Sequence, residues 1–165
     1  MANMLGLETD DPGVGTWSLR ERTPEGSRLA IDFVYPDDSH TNTTMFLTRE
    51  RLPGIAITEA GLFTLSGTEK GGRAEFTADG HYVEALQALG QRVFAREMLA
   101  CGIFQIPLDY LTRLLHRWPD AKMIMISGLF ALGITEEEIE AVVADHPTAS
   151  PNDVMMSVMR SRHSG

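Results

Sequence analysis

Cysteine is almost missing from this sequence: among 165 residues only Cys101 carries a thiol. An intrachain disulfide is excluded, and so is a zinc cluster built on several cysteines. One thiol fits a reducing compartment. Long apolar runs are missing as well. The longest lies at 123–132 and is interrupted by Ser127 and Gly128, far short of the ~20 residues that a spanning helix needs. The N-terminal stretch MANMLGLETDDPG places acids where a signal peptide has its positive region. A cytoplasmic protein with no membrane association is therefore expected.

Bases are the minority charge. Against 23 Asp and Glu stand 14 Lys and Arg, a formal net charge of −9. Nucleic acid is disfavoured as a general partner, because phosphate contacts need clustered Lys and Arg. Anionic lipid surfaces are disfavoured for the same reason. Standard catalytic and cofactor signatures are lacking: no G-x-x-x-x-G-K, no H-E-x-x-H and no G-x-S-x-G occurs. His40, His81, His116, His146 and His163 are scattered, with no pair at i,i+3 or i,i+4. No cofactor and no metal is expected, and the reading leans away from an enzyme.

What is present is ordinary globular material, 43% hydrophobic and 22% charged. Residues 1–13, ending in Asp10, Asp11, Pro12 and Gly13, read as a mobile tail. From 14 to 78 the pattern is β. The clearest period-two run is RLAIDFVY at 28–35, with Leu29, Ile31, Phe33 and Tyr35 on one face. It follows a strand at 16–22 across the turn Thr23-Pro24-Glu25-Gly26. Further short strands are expected at 43–49, 52–58, 61–66 and 73–77.

Helical spacing takes over at Asp79. Helices are expected at 81–99, 108–117 and about 120–132, the first packing against the apolar face formed by Trp17, Leu19, Leu29, Ile31 and Phe33. Two more have explicit starts. Thr135 with Glu138 forms the S/T-x-x-E capping box, and Ser150-Pro151 with Asp153 forms an N-cap with proline at N1. The fold expected is α+β: an N-terminal antiparallel meander of five to six short strands, then a C-terminal bundle of four to five helices. The sheet layer spans 14–78, the helical region 79–165 packs on it, and together they make one domain.

The most specific local pattern is 122–145: a helix, a turn at Leu132, Gly133 and Ile134, then a helix. With Leu132, Ile134, Ile139 and Val142 at its apolar positions, this stretch resembles the helix-turn-helix class and the small three-helix modules of the ubiquitin-associated type. Its second helix, TEEEIEAVVAD, departs from a DNA-reading helix because it carries five acids and no base. Methionine is the other feature. Nine are present, and Met155, Val158 and Met159 form one stripe of the last helix.

These features lead to a non-catalytic regulatory or adaptor protein acting by protein–protein contact. The expected contact residues are Glu136, Glu137 and Glu140, which would steer a basic partner, and Met155, Val158 and Met159, which would dock it. Self-association as a homodimer is expected through the same apolar stripe. Two alternatives come from other classes. One is a small-molecule enzyme with a pocket between sheet and helices, using Asp32, His40 or His81 for proton transfer. The other is a helix-turn-helix regulator holding phosphate with Arg160, Arg162 and His163.

Overall fold

Among the described residues, alternation in the first half of the chain becomes six strands, and the capped, 3.6-periodic second half becomes six helices. The computed structural model describes residues 14–35, 38–48 and 52–164. The N-terminal 1–13, read above as a tail, lies outside them. Two compact units are formed, Met1–Pro107 and Leu108–Gly165.

The first unit contains β1 (Val14–Thr23), β2 (Gly26–Val34), β3 (His40–Leu47), β4 (Gly54–Ile57), β5 (Gly61–Thr68) and β6 (Gly71–Ala78), then α1 (Gly80–Ala88) and α2 (Ala95–Ile103). All neighbouring strands are antiparallel. β1 and β2 form the expected hairpin, with the Gly26 amide donating to Thr23 Oγ1 at 3.3 Å. The sheet order is β3-β2-β1-β6-β5-β4, two three-stranded meanders joined along β1 and β6. β3 and β4 are consecutive in the chain yet occupy opposite edges. All six strands feed one apolar cluster, from Trp17 and Ile31 through Met45 and Ala56 to Phe63 and Ala74.

The helix expected over 81–99 is two helices. Gly90 takes a φ of +84°, and the Gly90 and Gln91 amides turn back to Gln87 O and Leu86 O. That left-handed glycine ends α1 and aims the chain away from its axis. The split changes which residues cover the sheet. Leu99 and Ile103 of α2 join the sheet's apolar cluster, beyond the 83–98 stretch expected to do so. Gly102 makes this approach feasible, because a Cβ there would lie 2.7 Å from the Phe76 ring and 3.1 Å from Phe63. At the end of α2, Gln105 Nε2 donates to Phe46 O of edge strand β3 at 2.6 Å. Tyr82 and Cys101 are fully buried. The Tyr82 hydroxyl donates to Ile106 O at 3.0 Å, and burial drives its pKa far above the usual phenol value.

The second unit is helical: α3 (Leu108–Arg117), α4 (Met123–Ala131), α5 (Glu136–Asp145) and α6 (Pro151–Ser164). Both expected helix starts form, each with reciprocal side-chain caps. The Glu138 amide donates to Thr135 Oγ1 and the Thr135 amide to Glu138 Oε1, each at 3.1 Å. The Asp153 amide donates to Ser150 Oγ at 3.2 Å and the Ser150 amide to Asp153 Oδ2 at 3.0 Å. The interior is made by Leu111, Leu114, Ile126, Leu129, Ile139 and Val154. Two aromatic side chains tie the turns to it: Tyr110 OH donates to Ile134 O at 3.2 Å and Trp118 Nε1 to Ala149 O at 2.8 Å. Among the described residues no helix is long and apolar enough to cross a membrane.

Candidate functional site

α4 is the anomaly of the second unit. Its sequence, MIMISGLFA, contains no charged side chain, although a surface helix normally carries a polar face. Its only hydroxyl, Ser127, is buried. Ile126 and Leu129 point inward. Ile124, Gly128, Ala131 and Leu132 recur at i, i+4, i+7 and i+8, and so share one face. Ile124 is 65% exposed and Leu132 40%. At α4's end Gly133 (φ +72°) makes the turn into α5.

α6 borders this face. Met155 leans on α4, its Cε 3.5 Å from where a Gly128 Cβ would sit. Met155 and Met159 are half-buried. Val158, between them, is part of the interior at 5% exposure. Met156 is the exposed methionine of this helix. Of the expected apolar stripe, Met155 therefore lies against α4, Met159 is half-buried one turn further on, and Val158 belongs to the interior.

The acids of α5 are largely matched within their own unit. Arg113 Nη2 lies 2.7 Å from Glu136 Oε1, and Arg117 pairs with Glu140. Both partners recur at i,i+4, which makes a two-rung ladder between α3 and α5. Glu138 pairs with Arg162 at 3.2 Å. Arg162 also donates from Nη1 to Leu132 O at 2.8 Å and from Nη2 to Gly133 O at 3.0 Å. A cation thus satisfies carbonyls at the C-terminal end of α4. The Glu138 carboxyl is held below its ordinary pKa, first by the Thr135 backbone amide and then by Arg162. Glu137 and Asp145 are exposed, and no ion pair reaches them among the described residues.

No family model matches the chain, and no curated protein or solved structure does either.

The residues offered for proton transfer are only partly brought together. His40 Nδ1 lies 3.0 Å from Asp32 Oδ1 across β2 and β3, with the two side chains 52% and 34% exposed. The pair stands on the solvent-facing side of the sheet, where Asp32 is flanked in register by Asn42 and Thr16. His81 is an exposed residue of α1. Among the described residues no group of three or more His, Cys, Asp or Glu is placed to hold a metal ion.

Ile124 and Leu132 were missed as outward residues, and so was the Arg113–Arg117 match to Glu136 and Glu140. The first signal was legible: a nine-residue helix without charge. The second was half-legible, since i,i+4 spacing exists on both helices, but their alignment, with 113 beside 136 and 117 beside 140, is a tertiary fact.

Proposed function

We propose that this protein is a non-catalytic regulatory or adaptor protein, and that the face shared by α4 and α6 is its contact surface. The single observation behind this reading is a surface helix with no charged residue, its outer side occupied by Ile124 and Leu132. Exposed apolar side chains are common singly, but an all-apolar face rimmed by polar helices marks association. Met155 and Met159 add adaptable, polarizable edges suited to a partner surface. Apolar docking, rather than electrostatic steering, carries the contact in this reading. Glu136 and Glu140 are already neutralised by Arg113 and Arg117, so Glu137 and Asp145 supply what field remains for a basic partner. A second copy of the chain is the simplest occupant, because a two-fold contact needs only one self-complementary patch.

Ile124→Glu in the full chain tests the reading. Position 124 is largely exposed, so the change is expected to alter stability by no more than about 0.5 kcal/mol. Wild-type protein should sediment as a concentration-dependent dimer, or retain one stoichiometric protein from its source cell, and Ile124→Glu should lose that behaviour. A wild-type chain that neither self-associates nor retains a partner in an Ile124-dependent way contradicts the proposal.

A further inference from the structure

A second surface of the helical unit, independent of the α4–α6 face, has the opposite character. A groove of about 560 Å³ runs between the end of α3 and the connection from α5 to α6. Arg113, His116 and Arg117 form one wall, Pro147 and Thr148 the other, with Trp118 also lining it. No carboxylate lines it, in a chain with net charge −9; Glu136 and Glu140, which pair with Arg113 and Arg117, line the adjoining recess. The three basic side chains recur at i, i+3 and i+4, so one helical turn presents them together. Arg113 and Arg117 each spend one Nη2 on the α5 acids. Each guanidinium has further N–H donors and can bridge two anions.

We propose that this groove binds a short acidic segment of a partner polypeptide, one whose Asp or Glu residues alternate with aliphatic or aromatic ones. Carboxylates would accept from Arg113, Arg117 and His116, in the manner of acidic-motif recognition by Arg clusters. An apolar side chain would lie against Trp118 and Pro147. Existing ion pairs oppose this little, because exposed pairs are worth about 0–1 kcal/mol. A nucleic-acid strand fits less well. Its continuous phosphate backbone would run beyond the groove onto a unit that exposes Glu137, Asp145 and Asp153, and the apolar wall would go unused.

The test is fluorescence anisotropy on the full chain with three labelled probes: a pool of short peptides made only of Asp, Glu, Leu, Phe and Gly, the same pool with Lys in place of the acids, and a short oligothymidylate. The acidic pool should bind, the Lys pool should not, and oligothymidylate should bind more weakly. Thr148→Glu and His116→Glu, both at exposed positions, should each weaken the acidic pool about tenfold or more through like-charge repulsion. Ile124→Glu should leave this binding unchanged, which separates failure here from failure of the α4–α6 reading. Absence of acidic-pool binding, equal binding of the two peptide pools, preference for oligothymidylate, or indifference to both glutamate variants overturns the proposal.

Discussion

Gly102 shows how one missing methyl positions a helix. It lets α2 bring Leu99 and Ile103 into the sheet's apolar cluster. Gly102→Ala would drive a Cβ into the rings of Phe76 and Phe63. Overpacking costs about 1–3 kcal/mol, and the better helix propensity of alanine returns up to about 1 kcal/mol. A net loss is expected in urea unfolding, and an unchanged midpoint would show that α2 does not need this approach. Two titrating groups make predictions of opposite sign. Tyr110 is raised to about 12 in the folded chain, chiefly by burial and then by Glu136. Its folded pKa exceeds the unfolded value of 10.0, so its contribution is intact below pH 10 and fades as pH climbs toward 12. Glu138 and Asp153 are both lowered by their capping amides. Their stabilisation is present above the ordinary carboxylate range and is lost as pH falls through the lowered folded values. Thermal midpoints against pH should therefore fall on both flanks. Glu138→Gln should flatten the acid flank, and Tyr110→Phe the alkaline one.

At the scale of elements, most of the architecture was legible because strand and helix periods differ so clearly here. The run Leu29, Ile31 and Phe33 alternates with exposed Arg28 and Val34, and its face could be read directly. Both helix starts stand where Thr135 and Ser150 predict them. Two things were not legible. The 81–99 periodicity runs through Gly90, and sequence spacing alone does not tell a tolerated helical glycine from one with positive φ. The neighbourship of β1 and β6 is non-local, and hairpin turns specify only adjacent strands. The ladder between α3 and α5 is of the same non-local kind, and its energetic weight is modest. Arg113→Ala and Arg117→Ala should each cost about 1 kcal/mol or less, shrinking further in high salt. A loss of several kcal/mol from either would mean that the ladder, rather than the apolar interior, holds these helices together.

For the molecule as a whole, the net charge of −9 describes the chain poorly. Acids dominate the total, yet the ladder neutralises part of α5 and one groove is lined by three basic groups. The α4 side of the candidate contact face carries no charged side chain. Met155, Val158 and Met159 were visible as a stripe, but the sequence could not tell that Val158 is buried while Ile124 of a different helix is exposed. Met155 of α6 meets α4 at Gly128. Photo-crosslinking from position 124 tests the central claim most directly. A photoreactive amino acid placed there in the full chain should give one discrete adduct, with a second copy or with a single partner protein. The same group at exposed position 84 on α1 should give none. No adduct from position 124, or the same diffuse adducts from both positions, would contradict the assignment of the α4–α6 face as a contact surface.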